Sequence, residues 1–167
     1  MRLLVIRHAI AEDRDTFAST GRDDASRPLT DQGKRRMRRA ARGLHGIVST
    51  IDVLVSSPLT RAQETAEIVA AEYEIERIEH AEELQPEHPL PEAVAALARY
   101  DGDIVAIVGH EPQLSRLVTF LVSGIDRSGI ELKKGGAVLL EFDGKPTSGA
   151  GTLLWSARPS TLRDLAG

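Results

Sequence analysis

The sequence predicts a three-layer α/β/α sandwich around a mostly parallel central sheet. Two observations carry that expectation. Leu3 to Arg7, Asp52 to Val55 and Ile104 to Val108 are short, largely apolar runs without alternation, as in strands buried on both faces. Helical stretches alternate with them, and alternating strands and helices pack into layered α/β folds. The 167 residues suffice for one domain with one core, spanning 1–167.

The first strand, Leu3 to Arg7, runs into His8 and then small residues, Ala9 and Ala11. Ala11 to Pro28 is acidic and aperiodic, and reads as a long loop. Loops of that length inside a domain are usually functional. Thr30 is a good N-cap for a helix from Asp31 to about Leu44, with Met37, Ala40, Ala41 and Leu44 on its apolar face. The other face carries Lys34, Arg35, Arg36, Arg38, Arg39 and Arg42, either a solvated surface or a docking patch for an acidic partner. After the second strand, Ser57 is placed to cap a helix and Pro58 to open it, with Leu59, Ala62, Ala66 and Val69 as its buried stripe. Arg61 then falls in the first turn. The helix dipole disfavours a merely structural arginine there but helps one that holds an anion.

A third strand is expected over Glu74 to Ile78, followed by a proline-rich loop from Glu82 to Pro91 and a helix from Glu92 to Tyr100. Ile104 to Val108 is the clearest buried strand. It ends in Gly109-His110-Glu111-Pro112, repeating the strand-then-histidine order of the start. Leu114, Leu117, Val118 and Leu121 mark the next helix. Gly136 to Phe142 and Thr152 to Ala157 form a late hairpin, and Arg158 to Gly167 a tail.

Composition narrows the function classes. A net charge of -4 gives no global field for nucleic acid or membrane, so neither partner is expected. The absence of cysteine removes disulfides, thiolate catalysis and cysteine-ligated metal. The opening apolar run is too short for a signal peptide or a membrane span, so a cytoplasmic location is expected. No exposed apolar element argues for a dimer, and a monomer is expected.

Parallel strands with right-handed crossovers bring Arg7, His8, Arg61 and His110 to one sheet edge, where α/β sheets bind ligands. Charged groups are buried only when paired, and no carboxylate motif of matching position accompanies them. A phosphate is the best-fitting partner, because guanidinium forks match its oxygens. His8 and His110 lack the third ligand and the spacing of a zinc site, so no metal or other cofactor is expected. His45, His80 and His88 read as surface residues.

Arg7-His8, Ser57-Pro58-Leu59-Xaa-Arg61-Ala62-Xaa-Xaa-Thr65 and Gly109-His110 resemble the histidine phosphatase superfamily. The likeness is closer to its small SixA-type phosphohistidine phosphatases. It rests on Arg7-His8-Ala9-Xaa-Ala11, Arg27-Pro28-Leu29-Thr30-Xaa-Xaa-Gly33, Glu83-Leu84-Xaa-Pro86, the late hairpin with Trp155, and Pro159-Xaa-Xaa-Leu162. The resemblance spans nearly the whole chain. It implies a phosphoglycerate mutase-like sandwich and a phosphatase that removes the phosphoryl group from phosphohistidine in a protein. His8 would be the nucleophile, forming a phosphohistidine intermediate. Arg7, Arg61 and His110 would bind the phosphoryl group, and the positive charges would do the work of a metal ion. Where the family's mutases carry Arg-His-Gly-Glu, this chain has Arg7-His8-Ala9-Ile10, and its length leaves no room for their lid insertions. Their general acid follows the third strand, where Glu83 is the nearest candidate. A phosphatase of small phosphate esters is the alternative, and a non-catalytic phosphoprotein-binding module a further one. The intact set of four argues against the latter, since binding needs no nucleophile.

Overall fold

The computed structural model describes Met1–Gly167. In chain order the elements are β1 (Arg2–Arg7), α1 (Arg14–Ala18), α2 (Asp31–His45), β2 (Val53–Ser56), α3 (Thr60–Tyr73), β3 (Ile78–His80), α4 (Leu90–Leu97), β4 (Ile104–Gly109), α5 (Gln113–Ser123), β5 (Ala137–Glu141), β6 (Thr152–Ala157) and α6 (Pro159–Leu165), with short 3-10 turns at Asp24–Ser26 and Glu82–Leu84. The six strands form one sheet in the order β3-β2-β4-β1-β5-β6. β1, β4, β2 and β3 run parallel, and β5 is antiparallel to both of its neighbours. This is the expected mostly parallel sandwich.

The absence of alternation in the central strands follows from their having two buried faces. Leu4 and Ile6 of β1 and Ala106 and Val108 of β4 pack with Met37, Ala40 and Leu44 of α2, Ala62, Ala66 and Val69 of α3, and Leu162 of α6. Leu3, Val5, Val105 and Ile107 point the other way, against Leu90, Ala93 and Leu97 of α4 and Leu114, Leu117, Val118 and Leu121 of α5. Each fully buried Leu or Ile contributes about 1.5–3 kcal/mol relative to exposure, so both helical layers are held firmly to the sheet.

The expected helix from Asp31 is α2, and the Thr30 side chain accepts from the Gly33 backbone N–H at 2.9 Å as its N-cap. Four expectations shift. The acidic loop contains α1, capped by Asp13, and the 3-10 turn at Asp24–Ser26. The third strand lies at Ile78–His80, because Glu74 ends α3 in the left-handed conformation (φ 56°). The fourth helix starts earlier, at Leu90, and ends at Leu97. The tail is α6, whose Leu162 is buried. Gly43 makes that packing possible: a β-carbon there would lie 1.7 Å from the Leu162 carbonyl oxygen.

Candidate active site

In-register pairing sets the site. Arg7 lies opposite Gly109, so β1 and β4 end level and His8 and His110 leave adjacent strands together. The His8 backbone N–H donates to the Gly109 carbonyl at 3.0 Å. Ser56 of β2 lies opposite Val108, which brings Ser57 and then α3 to the same edge. The two imidazole rings stand 5.1 Å apart, centroid to centroid. The structure thus brings Arg7, His8, Arg61 and His110 together, in an open cleft of about 430 Å³ that Arg27, Lys134 and Glu111 also line.

His8 is 6% exposed. Its Nδ1 lies 2.7 Å from the Ala9 carbonyl oxygen. A carbonyl can only accept, so Nδ1 carries the proton and the Nε2 lone pair is free. Burial lowers the His8 pKa to about 3; the Ala9 hydrogen bond opposes this, while Arg61, Arg7 and Lys134 add to it. The ring is therefore neutral at pH 7, the form a nucleophile needs. Burial lowers the His110 pKa to about 2, reinforced by His8, Arg61, Arg27 and Arg7. Its Nε2 lies 2.8 Å from Ser57 Oγ, and its Nδ1 is buried without a partner. A Ser57 hydroxyl that donates to Nε2 leaves an N–H on Nδ1, a donor with no acceptor in the protein.

Arg61 is 2% exposed, at the second position of α3. Its Nη1 donates to the Asp24 backbone carbonyl at 3.1 Å and lies 3.3 Å from Asp24 Oδ2. Asp24 Oδ1 accepts from Arg27 Nε at 2.7 Å. Arg27 Nη1 in turn donates to the Glu12 carbonyl at 2.8 Å. One carboxylate of the long acidic loop thus aligns two arginines. Arg7 is held by the Leu132 carbonyl, to which Nη1 donates at 2.8 Å. The Nε atoms of Arg7 and Arg61 are buried and unpaired, which leaves donors for an anion.

The remaining motif residues hold this frame. Thr65 Oγ1 donates to the Arg61 carbonyl at 2.7 Å and accepts from the Ala9 backbone N–H at 3.0 Å, tying α3 to the segment after His8. Gly33 lets α2 meet the same segment, since a β-carbon there would lie 2.0 Å from the Ile10 carbonyl oxygen.

Ser57 does not cap α3. Leu59 occupies the N-cap position, and the Ser57 hydroxyl meets His110 instead. Glu83 is not among the residues lining the cleft. Its carboxylate pairs with Arg99 at 2.9 Å, and that hydrogen bond holds its pKa below the usual range. The carboxylate that sequence reading missed is Glu111, next to His110: one oxygen accepts from Ser115 Oγ at 2.5 Å and the other is buried and unpaired. Its place in Gly109-His110-Glu111-Pro112, directly after a strand end, was the available signal. No three His, Asp or Glu side chains gather as metal ligands, and no helix is long and apolar enough to cross a membrane.

A family model described as the histidine phosphatase superfamily (branch 1) matches residues 3–86. The chain belongs to this superfamily. An uncharacterized protein of Picosynechococcus sp. is 33% identical over 142 residues, covering 83% of each chain. Among solved structures, the protein histidine phosphatase SixA complexed with tungstate superposes with a TM-score of 0.82 at 27% identity, over 97% of this chain and 99% of that one. The SixA-type resemblance therefore extends from short motifs to the whole histidine phosphatase fold. A phosphoserine phosphatase mutant from Entamoeba histolytica, at 16% identity and a TM-score of 0.70 over 96% and 98% of the two chains, shares the fold alone.

Proposed function

We propose that the protein removes the phosphoryl group from phosphohistidine in a protein, through a covalent phosphohistidine on His8. Superfamily membership and the SixA likeness support a phosphatase. The observation that carries the finer reading is a pre-set neutral nucleophile in an open cleft, which leaves room for a phosphohistidine displayed on a folded protein.

In the first step His8 Nε2 attacks phosphorus, and the bond from phosphorus to the substrate imidazole breaks. Its electron pair returns to the leaving nitrogen. A substrate ring protonated on its other nitrogen departs as neutral imidazole, whose conjugate acid has a pKa near 6.5. An alkoxide leaving group would need a proton donor. Arg7 and Arg61, with the Nδ1–H of His110, hold the phosphoryl oxygens through the transfer. In the second step water attacks phosphorus and the bond to Nε2 breaks. His8 leaves as neutral imidazole, since Nδ1 keeps its proton throughout, donating it to the Ala9 carbonyl. The water proton passes to a carboxylate, and Glu111 presents a buried, unpaired oxygen for it. Tungstate is a phosphate-like oxyanion, and its binding to SixA is consistent with an anion held in this way.

The test compares kcat/KM for a phosphohistidine protein, a phosphohistidine peptide and alkyl phosphate esters. The phosphohistidine substrates should be preferred. A preference for the alkyl ester by about tenfold, or ~1.4 kcal/mol of transition-state binding, would reject the assignment and promote an ester phosphatase on the same site.

A further inference from the structure

A second cleft, of about 250 Å³, adjoins the catalytic one. It lies between α2, the 133–135 turn and the start of α6, behind the Ala9-Ile10 segment, and Lys134 lines both clefts. Five cationic side chains line it: Arg36, Lys133, Lys134, Arg158 and Arg163. No carboxylate does. Glu131 pairs with Lys133 and stands 3.9 Å from Arg158. Arg36, Lys134 and Arg163 make no ion pair with any carboxylate of the protein. Like charges gathered without counter-charge repel one another, and Lys134 joins them to the cations of the catalytic cleft: its pKa is lowered first by burial and then by Arg7, Arg27, Arg14 and Arg61, all of which line that neighbouring cleft. This crowding occurs in a chain whose net charge is -4, so it is local. The basic face of α2 expected from sequence is in fact divided: Lys34 pairs with Glu64, Arg39 donates to the Arg163 carbonyl, and only Arg36 lines this cleft.

We propose that this cleft is a second anion subsite, holding acidic side chains of the phosphorylated protein a few residues from its phosphohistidine. The inference rests on the reading of the neighbouring cleft as a phosphoprotein site. The chemistry on the opposite rim selects the occupant. Glu12 and Asp13 line the catalytic cleft there beside the exposed Arg14, so the purely cationic lining is short and suits no continuous polyanion such as a nucleic acid or an anionic membrane. A short acidic segment meets the basic cleft and ends before reaching Glu12 and Asp13. The asymmetry, cations alone on the α6 side and mixed charge on the α1 side, also fixes the direction in which the segment lies.

The test uses paired peptides, identical except for Glu or Gln residues flanking a phosphohistidine, at low ionic strength. The wild-type protein should favour the acidic peptide by about tenfold in kcat/KM, through KM. That factor is equivalent to ~1.4 kcal/mol, within reach of two partly exposed ion pairs. Arg36→Gln/Arg163→Gln should erase the preference while leaving the Gln peptide and phosphoramidate unchanged; Arg36→Gln alone should halve its logarithm. Equal turnover of both peptides by wild type, or an undiminished preference in the double variant, would overturn the subsite. If no phosphohistidine substrate is turned over, the proposed function falls. The subsite is then read from fluorescence anisotropy of the same peptide pair carrying phosphoserine: tighter binding of the acidic peptide, lost in the double variant, supports it, and equal binding overturns it. An oligonucleotide that binds as tightly as the acidic peptide and is lost in the same variant would replace the protein segment as occupant.

Discussion

His8 and His110 occupy matching places. Each follows an apolar strand, the two strands are paired in register, and burial lowers both imidazole pKa values far below 6.5. They differ in what holds the inner nitrogen. His8 Nδ1 meets a backbone carbonyl, an obligate acceptor that cannot rotate away. His110 Nε2 meets a serine hydroxyl, which donates or accepts as its proton turns. The first contact dictates one tautomer and leaves a lone pair for attack. The second leaves the ring as a donor or an acceptor according to Ser57. Two equivalent strand ends thus yield one ring with a fixed free lone pair, the proposed nucleophile, and one whose tautomer follows Ser57.

The largest expected effect separates the two rings. His8→Ala should abolish turnover and leave no acid-labile, base-stable phosphate on the protein after brief reaction with labelled substrate. His110→Ala should slow turnover yet still trap that phosphate. Labelling of His8→Ala at the wild-type level would exchange the roles. Next comes Arg61, whose charge depresses both imidazole pKa values. Removing one transition-state donor costs roughly 10²–10³ in rate, so Arg61→Ala should lose that much. Arg61→Lys should recover only part, because a point charge does not replace the fork. Full activity of Arg61→Lys in a steady-state assay would break the clamp.

Ser57→Ala tests the adjustable side of the pair. A hydrogen bond contributes about 0.5–1.5 kcal/mol net, so kcat should fall by roughly three- to tenfold while trapping on His8 persists. An unchanged kcat would show that Ser57 does not set the His110 ring. Acid should reveal the shared burial. Unfolded, each ring takes up a proton near pH 6.5; folded, His8 does so only at about 3 and His110 at about 2. The unfolded state binds more protons between those limits, so stability is complete above about pH 6.5 and is lost as pH falls. The slope is about 1.4 kcal/mol per pH unit for each histidine. His110→Asn should make denaturant midpoints less sensitive to pH between 6.5 and 5, and an unaltered dependence would contradict the neutral buried ring.

The sheet was legible because strands buried on both faces announce themselves in composition, and strand ends then place Arg7, His8 and His110 without further information. Arg61 was legible from its awkward position in a helix's first turn. The supports were not. Asp24 reaches Arg61 across 37 residues of sequence and joins it to Arg27, and nothing in an acidic loop says which aspartate turns inward. Ser57 read as a helix cap because a serine before proline suits both roles, and only the fold put His110 within reach. The α6 helix was hidden by its length: seven residues with one buried leucine carry too weak a period to distinguish from a tail.

Glu83 gives the smallest expected effect, and it sharpens the comparison by removing a rival proton donor. Position after the third strand made it the candidate acid, but its carboxylate is held by Arg99 from the end of α4 and stays ionised. An ionised carboxylate outside the cleft cannot protonate a leaving group. Glu83→Gln should therefore change kcat/KM by less than about twofold for both an alkyl phosphate and a phosphohistidine peptide, a change within the range of an exposed ion pair. Glu111→Gln should slow the second step, so that the phosphorylated His8 accumulates after rapid mixing. If Glu83→Gln instead impaired the ester much more than the phosphohistidine, the carboxylate would have to leave Arg99 and enter the cleft during turnover. An alkoxide leaving group would then have a proton donor, and the proposed preference for phosphohistidine would lose its support from leaving-group chemistry.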